Sequence, residues 1–370
     1  MSEIMSRVVG NIGHIALNRP GSLNALTLNM VREMTRVLLD WETDTQIAAV
    51  VVSGNGDRAF CAGGDLKGLY EARQQADCFV PGAPGSLLAD MFREEYALDY
   101  LISDYAKPYV ALLDGVTMGA GFGISISASH RIVTERTVFA MPETKIGLFP
   151  DVGASYFLPR LGPIGRLLGL TGHTIQYAAC LQLGIGTHFV RSADTDQLVE
   201  QFANLGVNDA LYQFPQLQMH CEELIQLQTI ASTCFTSDSA DEIEACLESA
   251  CDQAESADFP AELLTAWRAG SPTSRALTCE QLRRSAGQSL AECLQMEYRL
   301  TQFCMSRSDF FEGVRAALID RDKCPTWNPA TLAAVSPAAI DAAFESLGDR
   351  DLDLSPITNR SIGRKRDQES

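Results

Sequence analysis

Positive charge is scarce in this sequence. The 370 residues include 29 Lys and Arg residues against 47 Asp and Glu residues, which gives a formal net charge of -18. Nucleic acids and anionic membranes repel a chain of this charge unless its basic side chains cluster locally. We therefore expect no nucleic-acid partner and no membrane partner.

Long apolar runs and a leader-like start are also missing. No uninterrupted apolar run reaches the roughly 18 residues that a membrane-spanning helix needs. The first residues, Met1-Ser2-Glu3-Ile4, do not form a basic segment followed by an apolar one. We expect no secretory leader and a cytoplasmic location.

Cysteine and histidine patterns of metal sites are absent. The 11 Cys residues contain no CxxC pair and show no metal-ligand spacing with the 5 His residues. Reduced thiols, no metal and no separate cofactor are therefore expected. Cys61 has no evident basic partner in the sequence that would activate it, so a packed side chain is favoured over a thiol nucleophile.

Two common enzyme signatures are missing as well. No GxSxG segment is present, so a serine hydrolase with a nucleophile elbow is not supported. The glycines of residues 115–123 approach a dinucleotide-binding pattern, but a third glycine at the required offset and a later acidic residue are lacking. A nicotinamide site is therefore excluded.

What is present is an alternation of strand and helix patterns. Residues 8–17, 47–52 and 109–115 read as strands, and residues 131–140 as a pair of short strands. The apolar spacing of Val31, Met34, Leu38 and Trp41 predicts a helix between the first two strands. This order predicts a parallel strand pair with a right-handed crossover. A long helix is expected at residues 278–307.

Two glycine-rich turns follow predicted strands. Gly63 and Gly64 precede Asp65 at the start of a helix, and residues 115–123 form a similar turn. Backbone N–H groups exposed at such turns can bind an anion or a developing oxyanion. A glycine turn with an Asp N-cap explains the first segment equally well.

Two carboxylates, Glu143 and Asp151, stand in the stretch 141–153, whose other residues are mostly apolar or turn-forming. Loss of hydration there should raise the pKa of a carboxyl group and make it a usable base near neutral pH. Taken alone, Glu143 fits a helix N-terminus stabilised by the macrodipole better. The choice depends on the wider pattern.

That wider pattern resembles the crotonase (enoyl-CoA hydratase/isomerase) superfamily, and within it the branch that hydrolyses 3-hydroxyisobutyryl-CoA. The resemblance spans residues 7 to about 335. Its superfamily motifs are Arg19-Pro20, Asn24-Ala25-Leu26, Phe60-Cys61-Ala62-Gly63-Gly64-Asp65 and the glycines of residues 115–123. Its branch motifs are Phe92-Arg93-Glu94-Glu95-Tyr96, residues 141–153, Ser271-Pro272-Thr273-Ser274, Met296-Glu297-Tyr298-Arg299-Leu300 and Phe311-Glu312-Gly313-Val314-Arg315-Ala316.

The resemblance implies an α/β fold in which a spiral of ββα units forms two nearly perpendicular sheets, followed by helices. The expected units are a core at residues 1–191, a helical region at 192–345 and a polar tail at 346–370. The helices of such proteins often mediate trimers or dimers of trimers. We accordingly expect a homo-oligomer, either a trimer or a hexamer.

The resemblance also implies the site. The thioester oxygen would be held by the backbone N–H groups of Gly64 and Ala120, although the family usually has glycine at the second position. Hydratases carry two glutamates, of which the first matches Gly123 here and only the second remains, as Glu143. In the hydrolase branch, Asp151 and Glu95 replace the missing glutamate. The resemblance implies that Glu143 is the nucleophile or base, that Asp151 orients it or a water, and that Glu95 accepts a hydrogen bond from the substrate 3-hydroxyl.

The implied function is thioester hydrolysis of 3-hydroxyisobutyryl-CoA in valine catabolism. The 3-hydroxypropionyl ester stays open, because one methyl group changes binding by only about 1–3 kcal/mol. Coenzyme A is part of this substrate. Backbone groups of Ser22 and Leu23 would contact its nucleotide end, and Arg58 and Lys67 are candidate cations for its phosphates. An enoyl-CoA hydratase or isomerase and a non-catalytic acyl-CoA binding protein are the alternatives.

Overall fold

Strands and helices alternate through the first half of the chain, and helices alone follow. A computed structural model describes residues 2–75, 79–214, 220–253 and 258–360. The strands are β1 (Ile4–Val9), β2 (Ile12–Leu17), β3 (Ala49–Gly54), β4 (Ala59–Cys61), β5 (Tyr109–Leu113), β6 (Val116–Met118), β7 (His130–Val133), β8 (Val138–Ala140), β9 (Ile175–Gln176) and β10 (His188–Phe189).

The α-helices of the described residues fall into two sets. The first set is α1 (Leu28–Thr43), α2 (Leu66–Gln75), α3 (Leu87–Ser103), α4 (Ala120–Ile126), α5 (Ala154–Phe157), α6 (Pro163–Thr171) and α7 (Tyr177–Gln182). The second set is α8 (Thr195–Leu205), α9 (Val207–Tyr212), α10 (Glu222–Cys234), α11 (Ala240–Gln253), α12 (Asp258–Ala269), α13 (Pro272–Arg284), α14 (Leu290–Met305), α15 (Ser308–Val314) and α16 (Pro337–Ala343).

Two sheets form, as the resemblance implies. The larger has the order β1-β2-β3-β5-β7-β10 and the smaller the order β4-β6-β8-β9. The predicted parallel pair around the first helix is β2 and β3. The single strand expected at residues 8–17 is wrong, since Gly10 (φ 58°) turns the chain between two antiparallel strands. The two short strands expected within residues 131–140 are confirmed as β7 and β8, which lie in different sheets.

Both faces of the larger sheet are covered, which explains its continuous β-branched strands. Val50 and Val52 point into the main core, whereas Val51 points to the opposite face and packs with α8 and α9. The main core includes side chains from the predicted core region and from the predicted helical region, such as Trp267 and Tyr298. The boundary between these two regions stays a prediction.

The helix around Val31, Met34 and Leu38 is confirmed as α1, and these three side chains are buried. The long helix expected at residues 278–307 is wrong. It is divided into α13 and α14 because Gly287 adopts φ 79° and Ser289 begins the second helix with a capping box to Glu292.

The expectation that all cysteines are reduced is wrong for one pair. Helices α10 and α11 bring the Cα atoms of Cys234 and Cys246 to 5.3 Å, and the two residues form a disulfide. The other cysteines among the described residues are free. No helix in the described ranges is long and apolar enough to cross a membrane.

Candidate active site

The two glycine turns lie side by side because the strands before them are parallel neighbours. Strand β4 pairs with β6, so the turn at Gly64 and the turn at Ala120 leave the same edge of the smaller sheet. Neither the Gly64 nor the Ala120 N–H donates a hydrogen bond within the described chain. Two free amides therefore point from adjacent turns, as an oxyanion requires.

Glu143 reaches the same edge through the third strand. Strand β8 pairs with β6 in parallel, and the chain then enters a short 3₁₀ turn, Glu143–Ile146. Gly119, at φ 49°, lies against this residue, because a Cβ atom built on it would stand 3.1 Å from Glu143 Oε1. A larger side chain at position 119 would displace the carboxyl group.

The Glu143 carboxyl group is nearly free of polar contacts. Its side chain is 5% exposed, and its Oε2 atom has no hydrogen-bond partner in the described part of the chain. Burial, followed by the charge of Asp151, raises the pKa of Glu143 well above its usual value. The local environment that the sequence predicts for this carboxylate is therefore present, and the group begins a 3₁₀ turn rather than a long helix.

Asp151 is oriented by a residue that the sequence reading did not single out. The Tyr96 hydroxyl donates a 2.7 Å hydrogen bond to Asp151 Oδ2. Burial raises the pKa of Asp151 to about 6, and the hydrogen bond from Tyr96 opposes this rise. Tyr96 stands in one of the motifs quoted above, which was the only signal for it.

A clamp from the C-terminal helices holds the loop that carries Asp151. Glu297 on α14 accepts hydrogen bonds from the N–H groups of Gly153 (2.7 Å) and Ser155 (2.8 Å). Gln281 on α13 donates to the Pro150 carbonyl at 2.6 Å. Burial raises the pKa of Glu297 to about 8. No local sequence pattern pointed to these contacts, because the partners are more than a hundred residues apart.

Helix α3 contributes two further buried acids, one turn apart. Glu95 and Asp99 are each 3% exposed, and burial raises the pKa of both groups well above their usual values. Glu95 was predicted at the site, and Asp99 was not. A Cβ atom at Gly123 would lie 2.7 Å from Asp99 Oδ2 and 2.7 Å from Val152 Cβ. No space remains for the second glutamate of a hydratase at position 123.

Most of the predicted site residues line one cavity. It measures about 70 Å³ and suits a short acyl group. Its lining contains five of the predicted site residues together with apolar side chains such as Leu69 and Phe92. The predicted residues that line it are Gly64, Ala120, Glu143, Asp151 and Glu95.

The residues proposed for the nucleotide end lie outside this cavity. Ser22 ends a 3₁₀ turn at the surface, and the Leu23 carbonyl accepts a hydrogen bond from Ala62 N–H at 3.0 Å. Leu23 thus stands beside the first glycine turn. Arg58 and Lys67 are exposed and do not line the cavity. Their contacts with a substrate stay predictions.

Two other candidate chemistries find no support in the geometry. Cys61 is fully buried, and burial raises the pKa of its thiol to about 12, so no thiolate nucleophile forms near neutral pH. Within the described ranges, no group of three or more His, Cys, Asp or Glu side chains is arranged to hold a metal ion.

The comparisons with known proteins agree with this architecture. The family model described as enoyl-CoA hydratase/isomerase matches residues 12–344. The chain belongs to the enoyl-CoA hydratase/isomerase family. Among its relatives is the protein named 3-hydroxyisobutyryl-CoA hydrolase, mitochondrial, from Danio rerio, which is 44% identical over 95% of this chain and 92% of its own length. The protein of the same name from Homo sapiens is 39% identical over 95% of this chain and 90% of its own length.

Solved structures of the family share the whole fold. A carnitinyl-CoA dehydratase from Mycobacterium thermoresistibile is 33% identical with a TM-score of 0.87, covering 96% of this chain and 99% of its own. An enoyl-CoA hydratase from Rhodobacter sphaeroides 2.4.1 is 35% identical with a TM-score of 0.86, covering 95% and 100%. The predicted family, its hydrolase branch and the two-sheet fold are confirmed.

The relatives do not support one expected property. The two hydrolase relatives carry the word mitochondrial in their names, so they give the expected cytoplasmic location no support.

Proposed function

We propose that this chain hydrolyses the thioester of a short 3-hydroxyacyl-CoA, with 3-hydroxyisobutyryl-CoA as its substrate. One observation carries the proposal: the buried carboxyl group of Glu143 lines the cavity together with Gly64 and Ala120, whose backbone N–H groups are free. The names of the hydrolase relatives, at 39% to 44% identity over 95% of the chain, support the same substrate. The reaction would then belong to valine catabolism.

The two amides stabilise the tetrahedral intermediate. When oxygen adds to the thioester carbon, negative charge collects on the carbonyl oxygen, and the Gly64 and Ala120 N–H groups bind it. Donors aimed at a developing oxyanion typically contribute about 3 kcal/mol each. Alanine at position 120 leaves this donor in place, because only its backbone N–H is used.

Glu143 supplies or activates the attacking oxygen. In one route its carboxylate attacks the carbonyl carbon, coenzyme A leaves as a thiolate that takes up a proton, and water cleaves the resulting anhydride. In the other route Glu143 removes a proton from the attacking water. Asp151, held by Tyr96, orients this water or the Glu143 carboxylate. Glu95 accepts a hydrogen bond from the substrate 3-hydroxyl.

Hydration of an enoyl-CoA is the weaker candidate. That reaction uses two glutamates in the resemblance described above, and Asp99 and Val152 fill the space that a side chain at position 123 would need. A purely binding role is weaker still. It gives no reason for burying three carboxyl groups, those of Glu95, Glu143 and Asp151, around one cavity at a cost in hydration.

Replacing Glu143 by Gln tests the proposal. We expect thiol release from 3-hydroxyisobutyryl-CoA to fall by about a hundredfold or more, since general bases contribute roughly that much, while coenzyme A binding persists. Glu94→Gln, at a partly exposed position of α3, is the matched control. Retained turnover in Glu143→Gln would contradict the assignment, as would wild-type consumption of crotonyl-CoA without thiol release.

A single turnover in heavy-oxygen water separates the two routes. In the anhydride route, attack of water on the glutamyl carbonyl carbon sends the bridging oxygen of Glu143 into the acid product and leaves the solvent oxygen in the enzyme. Attack on the substrate acyl carbon, like the water route, sends the solvent oxygen into the product. Heavy oxygen in the Glu143 peptide, measured by mass spectrometry, would therefore establish the anhydride.

A further inference from the structure

Asp99 is a buried acid that the reaction steps above do not use. Its side chain is 3% exposed, and in the described part of the chain neither carboxyl oxygen has a hydrogen-bond partner. Most buried carboxyl groups are hydrogen-bonded or paired with a cation, because an isolated buried charge is costly. The groups around Asp99 must therefore account for a buried carboxyl group without a hydrogen-bond partner.

The position of Asp99 is set by close packing. Its oxygens lie 2.7 and 2.9 Å from the point that a Cβ atom on Gly123 would occupy, so the carboxyl group fills the space that glycine leaves on α4. Asp99 also follows Glu95 by one turn of α3, which places both side chains on the same helix face. Glu95 lines the cavity and Asp99 does not.

The groups that face Asp99 are acidic or neutral. The titratable groups that interact electrostatically with Asp99 are Glu95 on α3, Asp151 on its loop, Glu297 on α14, Tyr109 on β5 and Cys61 on β4. No Lys or Arg side chain is among them. Two buried carboxyl groups one helical turn apart ionise together only at a large cost in free energy when no cation compensates them.

We propose that Asp99 is a positioning residue that keeps its proton near neutral pH, so that Glu95 one turn away carries the negative charge which accepts the substrate 3-hydroxyl. The proposal rests on the function proposed above for the role of Glu95. Glu95 is the better site for the charge because it borders the cavity, where substrate and water can solvate it. Asp99 has no such contact. Burial raises the pKa of both groups, followed by the charge of Asp151 for Glu95 and by the charge of Glu95 for Asp99. The contact of Glu95 with the cavity therefore decides between the two positions.

An infrared measurement tests the proton on Asp99 without any turnover. Near neutral pH, wild-type protein should show the carbonyl band of a protonated aspartate, identified by isotopic labelling of the aspartate carboxyl groups. Asp99→Asn should lack that band. Glu94→Gln, at a partly exposed position of the same helix that pairs with Arg32, should keep it. Identical aspartate spectra for wild type and Asp99→Asn would overturn the proposal.

The link from Asp99 to Glu95 is tested through KM. When alkaline pH ionises Asp99, repulsion between the two carboxylates should move Glu95 out of the position that accepts the 3-hydroxyl. We therefore expect KM for 3-hydroxyisobutyryl-CoA to rise at least fivefold in wild type. KM for isobutyryl-CoA, which lacks the 3-hydroxyl, should stay unchanged over the same pH range. Asp99→Asn should abolish the rise and leave kcat near neutral pH within about threefold. If Asp99→Asn does not fold, the same measurements are made on Asp99→Leu, whose side chain is also neutral and of similar size.

The outcomes separate this proposal from the function on which it rests. A rise in KM that persists in Asp99→Asn, or a large loss of kcat in that variant near neutral pH, would overturn the role of Asp99 while leaving hydrolysis intact. Absence of thiol release from wild-type protein would overturn the proposed function and with it the assignment to the 3-hydroxyl. The infrared band would still decide where the proton is.

Discussion

Asp151 shows how one contact adjusts the ionisation of a buried acid. Burial raises the pKa of Asp151 to about 6, and the hydrogen bond from Tyr96 acts in the opposite direction. The hydrogen bond favours the charged form, because the hydroxyl donates to the carboxylate. The balance leaves Asp151 mostly ionised at neutral pH, although it is surrounded by protein.

We predict that Tyr96→Phe moves the acidic limb of the pH–rate profile to higher pH. Without the hydroxyl donor, the pKa of Asp151 rises above about 6, so the carboxyl group ionises only at higher pH. A hydrogen bond to a charged group contributes about 1.5–3 kcal/mol, or about one to two pKa units, so kcat near neutral pH should fall about twofold to tenfold. Thiol release measured across pH checks this. An unshifted limb would show that Asp151 does not control the rate.

The element that decides the shape of the site is the loop after Glu143. Its backbone is bound to α14 through Glu297 and to α13 through Gln281. Val152 within the loop adopts φ 55°, which is unfavourable for a β-branched residue, so outside contacts must hold it. The C-terminal helices therefore position Asp151 without touching the substrate.

We predict that Glu297→Gln lowers the melting temperature and kcat together. The amide retains one acceptor, so either Gly153 or Ser155 loses its partner, and an unsatisfied buried N–H costs about 1–3 kcal/mol. Glu292→Gln on the same helix is the control, because glutamine also completes a capping box. An unchanged melting temperature in Glu297→Gln would contradict the clamp.

The stability difference between wild type and Glu297→Gln should also depend on pH. The pKa of Glu297 is about 8 in the folded protein and about 4.5 in the unfolded chain. The contribution of Glu297 to the free energy of unfolding is therefore largest below pH 4.5 and is lost as the pH rises through about 8. The advantage of wild type should therefore shrink between these limits, as measured by urea unfolding at several pH values.

Across the whole molecule, the main apolar core joins the two predicted regions. It includes Phe60 and Tyr96 from residues 1–191 together with Trp267 and Phe310 from residues 192–345. Part of the predicted tail joins it too, since Leu352 and Leu354 are buried although the tail was expected to be polar throughout. The expected trimer or hexamer stays a prediction.

We predict that residues 1–191 do not fold cooperatively alone. Removing the later helices would expose the core face that they cover and would release the loop that carries Asp151. Circular dichroism during urea unfolding should show a broad transition or none. Supplying residues 192–370 as a second chain is the control and should restore activity. A sharp transition of the fragment alone would instead make residue 191 a true folding boundary.

Local patterns in the sequence determined much of the local structure. The spacing of Val31, Met34 and Leu38 gave rise to α1, and the β-branched run around Val51 became a strand buried on both faces. These features depend on periodicity and turn chemistry, which act over a few residues. The same short-range signals placed Glu143 and the glycine turns at strand ends, and the family resemblance proposed that these distant segments meet.

Only the tertiary structure decided which side chains surround them. Tyr96 reaches Asp151, Glu297 holds Gly153, and Asp99 fills the space left by Gly123, although each pair is far apart along the chain. Such contacts depend on how helices pack over the sheets, and no local pattern encodes them. Burial has the same origin, because the hydration that each carboxyl group loses is set by the whole fold. The chemistry of these acids is therefore a property of the assembled molecule.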